Sequence, residues 1–381
     1  MIPEVKHIQV LYRTLPVGQI QLDPTTGACV FAYDRSWLAS GFSLSPTELP
    51  LQGGLLFADP DKFDGGFAIF EDSLPDGYGL LLLNRILRDH GSSLKELTPL
   101  QRLSLIGKSG MGALSYVPVL PGFQKQRELS DAQMLDTLQE EALKLLSEKA
   151  PGDASLLYYN SANSGGARPK AVLLDHDGTH WLVKFRHMYD PEDIGKTEYL
   201  YMSTAGACGI RIPGIKLISD RYFAVERFDI APDGNRIHVA TAAALLKTDF
   251  RSQNLDYTNL LALTGYLTQD PIQVEEMFRR MVFNIVAVNK DDHGKNFSFL
   301  CIDGKWQLAP AYDLTYSPKG TNGEHATSLF YNGNPGLDEI LKAGTGIRIP
   351  ESRCREIINE VESLCEKRLP IVNRVTVSQS I

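Results

Sequence analysis

Cysteine is scarce in this 381-residue chain and poorly placed for cross-linking. Cys29, Cys208, Cys301, Cys354 and Cys365 are odd in number and never form a C-x-x-C pair. That excludes a disulfide framework and a thiolate zinc site. Long apolar runs are also missing: the stretch Met281 to Val288 falls far short of the roughly 20 residues that span a bilayer. The opening MIPEVKHIQVLYRT has neither an apolar core nor a small-residue cleavage site, so a soluble, cytoplasmic protein is expected. Positive charge is not in excess. Lys and Arg total 38 against 46 for Asp and Glu, and a formal charge of −8 gives no general attraction to nucleic acid or to anionic membranes. Neither association is expected. Repeats, low-complexity segments, a Walker A sequence and G-x-G-x-x-G are all absent.

What is present is organised in blocks. The length exceeds what one compact core usually holds, so two or three packed units are expected. Residues 1–120 alternate short β-type runs (HIQVLYR, ACVFAY, GALSYVPV) with one helical stretch, GYGLLLLNRILRDH, and read as a small α/β subdomain. Residues 121–150 are a helical linker, charged and helix-prone over 126–149, with Ser130 or Asp131 as N-cap and Pro151-Gly152 ending the run. Residues 151–229 are strand-rich and open on a Gly-rich turn. They include a hairpin signal at Asp177-Gly178, a helix from Thr197 to Cys208, and strands at GIKLIS and YFAVERF. Residues 230–381 turn helical; Asp270 caps a helix with Pro271 at its first position and a stripe of Val274, Met277, Phe278, Met281, Val282 and Ile285. The expected fold class is α+β: a two-lobed, protein-kinase-like arrangement with an all-helical C-terminal lobe.

The chemistry concentrates where the Pro271 helix ends. Asn289-Lys-Asp291-Asp292-His293-Gly-Lys295-Asn296 packs acids, an imidazole and carboxamides onto one turn, and Ala309-Pro-Ala-Tyr-Asp313 adds an acid about 20 residues later. Hard oxygen ligands of this kind suit Mg²⁺. In phosphoryl transfer one Asp orients the attacking hydroxyl, an Asn binds metal and a later Asp binds the metal that bridges the phosphates. Asp291, Asn296 and Asp313 fit those roles in order. A plain polar loop with Asp313 as a helix cap fits the same residues, and a zinc site on His293 and the aspartates is a third reading.

Lys184 stands in the apolar strand WLVKF and suits a phosphate contact, with Glu198 on the next helix as its partner; an ordinary salt bridge is the alternative. Ser161-Ala-Asn-Ser164-Gly165-Gly166-Ala167-Arg168-Pro-Lys170 can form an anion nest or be a flexible loop. Val225-Glu226-Arg227-Phe228-Asp229 can receive an adenine, with Asp229 on a ribose hydroxyl, or can be a salt-bridge cluster. The order decides between these readings: phosphate turn, strand lysine, helix glutamate, hinge, catalytic loop and metal acid follow one another as in an ATP-dependent kinase. A lipid or small-molecule kinase, or a nucleotide-binding pseudokinase, are the competing functions.

FEDSLPDGYG from Phe70 and GALSYVP from Gly112 in the leading region join GGARPKA, LVKF, VERFD, the D-x-H-x-K-N run from Asp291, APAYDL, and HATSLFYNG from His325 further on. This set resembles the HipA family, serine/threonine kinase toxins of bacterial toxin–antitoxin modules. It implies Asp291 as catalytic acid/base, assisted by Lys184 on the phosphates, and Asn296 and Asp313 as Mg²⁺ ligands. It implies Glu226 and Phe228 near the adenine, and further ATP contacts are expected from the Gly-rich turn (Ser164 to Arg168, and Lys170), Asp229, His293 and Lys295. A mobile loop serine is autophosphorylated in similar proteins; Ser164 and Ser161 are the candidates, and Asn163 stands where some relatives carry that serine. Family members phosphorylate proteins, in some cases an aminoacyl-tRNA synthetase, and pair with a small DNA-binding, HipB-like antitoxin. Neither partner is legible in the residues themselves.

Overall fold

The protein is described as a computed structural model over residues 2–123, 129, 133–147, 152–161, 165–252 and 254–370. The chain folds into two compact units assembled from non-contiguous stretches. One comprises Met1–Glu192, Ala224–Ala240 and Cys301–Gly304; the other comprises Asp193–Phe223, Thr241–Leu300 and Lys305–Ile381. Among the described residues no helix is long and apolar enough to cross a membrane.

In the first unit five antiparallel strands form a sheet in the order Leu56–Phe57, Cys29–Tyr33, Leu15–Leu22, His7–Tyr12, Leu114–Val117. Alternation along the strands sends Ile8, Val10, Ile20, Phe31 and Tyr116 inward. Phe31 meets Phe67 and Phe70 tilted or edge-on, and Phe70 meets Tyr116 the same way. Each such buried ring contributes roughly 2 kcal/mol by leaving water. The helix Gly77–Asp89 buries Tyr78, Leu82, Leu83 and Ile86 at helical spacing. Further along, Lys170–Leu174 and His180–Lys184 form the expected hairpin, in register from Lys170 opposite Lys184 to Leu174 opposite His180. The linker helix is described from Met134 to Ser147, and its expected caps Ser130 and Asp131 lie outside the described residues.

In the second unit the helix Pro271–Val286 is central. Asp270 caps it, its carboxylate accepting from Ile272 N at 2.9 Å, and Met277, Phe278, Met281, Val282 and Ile285 of the expected stripe are buried. It packs against Tyr257–Thr268 on one side and Glu351–Arg368 on another. The helix expected from Thr197 starts earlier and runs Ile194–Ala207. The C-terminal part, expected to be all-helical, instead carries strands at His238–Thr241, Leu255–Asp256, Ser298–Ile302, Lys305–Leu308 and Thr327–Ser328. The reason is local: Asp303-Gly304 takes two positive φ angles and turns the apolar FSFLCI run into a hairpin arm.

Candidate active site

The residues expected to form the catalytic loop all lie in the second unit. The central helix ends at Val286, and Val288, at φ 56°, redirects the chain so that Asn289 N returns to Asn284 O at 2.9 Å. Asp291 then emerges with its side chain 63% exposed, accessible to a ligand. The next residue does the opposite. Asp292 is buried, and its carboxylate accepts from Tyr257 OH at 2.6 Å, His325 Nδ1 at 2.9 Å and Thr327 N at 3.2 Å, while Thr327 Oγ1 donates to its carbonyl. Asn284 Nδ2 donates to Tyr257 OH at 3.0 Å, and Asn289 Nδ2 to Asn284 Oδ1 at 2.9 Å, extending the network. Burial, then the Asp292 charge and its hydrogen bond, push the Tyr257 hydroxyl well above its ordinary pKa, so it stays a donor.

Asn296 closes the loop. Its Nδ2 donates to Asp291 O at 2.7 Å, and its backbone N to His293 O at 2.8 Å. This fixes the amide nitrogen inward and presents the carboxamide oxygen as the group a cation would take. His293 Nε2 lies 3.9 Å from Asp291 Oδ1, and its ring is 5.3 Å from that of Phe250, over which Lys295 Nζ sits at 4.6 Å. Gly294 packs closely: a Cβ there would lie 3.1 Å from Ala243 Cβ. Asp313 is half-buried at φ 57°, a left-handed conformation that Asp tolerates better than most residues. Its segment is fastened by Arg280, which donates to Ala309 O at 2.7 Å, and by Ala311 N, which donates to Arg211 O at 2.7 Å. Tyr312 OH is 2.5 Å from both Lys295 O and Ser298 Oγ, tying that segment to the Asp291–Asn296 loop. Among the described residues no three of His, Cys, Asp and Glu converge to hold a metal, which leaves the zinc reading without a ligand set. An Asn and an Asp oxygen remain the hard donors suited to Mg²⁺.

The residues expected to meet the nucleotide phosphates lie in the first unit. Of the two candidate loop serines, Ser164 lies outside the described residues, and Ser161 is buried, its hydroxyl donating to Tyr158 O at 3.2 Å. Gly165 and Gly166 are held from three sides. Gly166 N donates to the Asp76 carboxylate at 2.5 Å, Gly166 O accepts from Tyr78 N at 3.0 Å, and the buried Lys170 ammonium donates to Gly165 O. Arg168 pairs with Asp190 at 2.9 Å. Lys184 closes the strand His180–Lys184 in this unit, while Glu198, its expected partner, is buried on the helix Ile194–Ala207 of the other. Glu226 is exposed and Phe228 half-buried, so both are accessible to a ligand.

Asp229 is a correction. It is fully buried, Arg227 donates to both of its oxygens at 3.0 and 2.7 Å, and Gly112 N adds a bond at 2.9 Å. Burial works to raise its pKa, but the Arg227 charge and hydrogen bond, with Arg236 and Gly112 N, outweigh it and bring the carboxyl down to about 2. A ribose hydroxyl has no access to it, and the salt-bridge alternative holds. Sequence reasoning also missed Asp292, Tyr257 and Asp76. The sequence signal for Asp292 was the doublet of neighbouring acids.

The chain matches the HipA-like C-terminal domain over residues 162–369 and the HipA N-terminal domain over residues 8–117. It is 24% identical over 337 residues to the serine/threonine-protein kinase toxin HipA of Shewanella oneidensis, covering 79% of this chain and 72% of that protein. It is also 24% identical over 248 residues to the putative kinase Y4dM of Sinorhizobium fredii, covering 57% of this chain and 59% of that one. Among solved structures, HipA in the Shewanella oneidensis complex with HipB and operator DNA superposes with a TM-score of 0.70 at 19% identity. That match covers 97% of this chain and 93% of that one, and it shows a shared fold.

Proposed function

The chain belongs to the family of HipA-like C-terminal domains, and from that premise we propose that it is an Mg-ATP-dependent protein serine/threonine kinase, the toxin of a toxin–antitoxin pair. One observation carries the reading: the Asn296 side chain is bonded to Asp291 O at 2.7 Å, which joins the proposed base and the proposed metal ligand in one turn. The spacing of five residues between them is that of the catalytic Asp and metal-binding Asn of protein kinases.

In this reading Asp291 accepts the proton of the acceptor hydroxyl as its oxygen attacks the γ-phosphorus, and the phosphorus–oxygen bond to ADP breaks. Asn296 and Asp313 would hold Mg²⁺, which when bound offsets the negative charge of the phosphates. Lys184 and the Gly-rich turn over Gly165 to Lys170 hold the phosphates, and Glu226 and Phe228 flank the adenine. His293 and Lys295 line the same loop. Along the chain, residues 1–120 and 121–150 are the proposed leading subdomain and linker, and 151–229 and 230–381 the proposed nucleotide and catalytic regions. Residues 193–223, however, belong to the same compact unit as Asp291, and residues 230–240 and 301–304 to the other. The acceptor is a protein Ser or Thr, an aminoacyl-tRNA synthetase being the first to test. The loop serine Ser164 is the second acceptor; the buried Ser161 hydroxyl can react only if its helix end opens. A small HipB-like, DNA-binding antitoxin is the proposed partner, by likeness to the solved complex.

The test is transfer of labelled phosphate from ATP to lysate proteins, with Asp291→Asn and Asp313→Ala as controls. Label in proteins that disappears in both variants supports the reading. Full transfer by either variant overturns it, and label confined to lipids or metabolites replaces the protein acceptor.

A further inference from the structure

The leading region's Pro75-Asp76-Gly77-Tyr78 segment has no role in the chemistry above, yet it holds the Gly-rich turn. Asp76 stands at the N-cap of the helix Gly77–Asp89 but makes no side-chain capping bond to that helix. Its carboxylate, on a residue only 4% exposed, instead accepts from Gly166 N at 2.5 Å. The helix end is capped in exchange, because Tyr78 N donates to Gly166 O at 3.0 Å. One peptide turn therefore receives a bond from the helix start and gives one to the N-cap carboxylate.

The fit leaves no slack. Gly77 has φ 44°, and a Cβ on it would lie 2.4 Å from Gly166 O; a Cβ on Gly165 would lie 3.0 Å from the Asp76 carboxylate. With Lys170 on Gly165 O, both carbonyls of the turn are tied down. Carbonyl oxygens repel phosphate, so a turn whose carbonyls are committed elsewhere is prepared to meet an anion with its remaining amides.

We propose that Asp76 is a positioning residue for nucleotide binding: it locks the Gly165-Gly166 turn in the conformation that receives the ATP phosphates. The inference rests on the kinase reading. It assigns the leading subdomain a direct part in nucleotide affinity through one carboxylate–amide bond.

Steady-state kinetics against ATP at saturating Mg²⁺ test it, with Asp76→Ala removing the acceptor and Asp76→Asn keeping one. Asp76→Ala should raise KM for ATP by about tenfold, the loss of one hydrogen bond to a charged group, with kcat little changed. Asp76→Asn should recover most of that loss. A folded Asp76→Ala protein with unchanged KM overturns the proposal, as does an Asn variant no better than Ala. Hydrogen–deuterium exchange on the wild type needs no variant: protection of the Gly166 amide is expected, and open-loop exchange overturns the proposal even if Asp76→Ala does not fold. A wild type that binds no Mg-ATP would instead refute the kinase reading itself.

Discussion

His325 Nδ1 and Asp292 Oδ2 are 2.9 Å apart, with both side chains buried, and this pair anchors the loop that carries Asp291. Because Tyr257 OH and Thr327 N also converge on Asp292, Asp292→Ala would strand three buried donors. The variant should lose about 3 kcal/mol or more of stability. It should also lose phosphotransfer while folded, since Asp291 would no longer be held. His325→Ala, removing one donor, should cost less. Urea unfolding and single-turnover transfer measured on both variants check the ranking.

Asp291→Asn preserves the backbone carbonyl that Asn296 grips, so the loop should keep its shape. Transfer should fall by about 10²–10⁴-fold, the range expected for loss of a general base. Nucleotide affinity should stay close to wild type. At Asp313 the φ of 57° makes Asn the informative replacement, because Asn tolerates this backbone and removes the charge. The Mg²⁺ concentration for half-maximal activity should rise roughly tenfold or more in Asp313→Asn. Metal titration of activity, with unfolding as a control, checks both.

The buried His238 gives an acid-side signature. Burial lowers its pKa to about 4, against the smaller opposing effect of its bond to Leu44 O at 2.8 Å. Its contribution to stability is fully present above the unfolded value of about 6.5. Between about pH 6.5 and 4 the unfolded chain takes up a proton that the folded chain refuses, so stability falls as pH falls, by on the order of 3 kcal/mol. His238→Gln should flatten that part of the profile. Denaturant midpoints across about pH 4 to 7.5 measure it.

What could be read from sequence follows the range of the forces involved. The helix Pro271–Val286 is a local object: Asp270 caps it, Pro271 sets its first φ, and its stripe repeats at three and four. The Asp177-Gly178 hairpin is equally local. Asp291 and Asp292, by contrast, are chemically identical neighbours, and their roles divide only because His325 and Thr327 fold back from more than thirty residues along the chain. Asp76 was legible only as part of a motif, since its partner Gly166 is 90 residues away. Of the C-terminal strands, Leu255–Asp256 and Thr327–Ser328 were hidden because two residues carry no strand period of their own, whereas the apolar FSFLCI run was legible as a strand.

Asp229 makes the sharpest separation between structure and ligand binding. Arg227 is only 8% exposed, so Asp229→Asn would leave a buried guanidinium without its charge partner. Stability at neutral pH should drop by about 3 kcal/mol or more. In the wild type the depressed carboxyl, at about 2, contributes stability that is complete above the unfolded value of 3.8 and is lost as pH falls from there toward 2. The variant should lack that acid dependence. A folded Asp229→Asn protein should nevertheless bind ATP with wild-type affinity, because a residue with no exposed surface cannot touch a ribose. Calorimetric titration with Mg-ATP below the variant's unfolding temperature decides it: a large loss of affinity would restore the nucleotide role to Asp229.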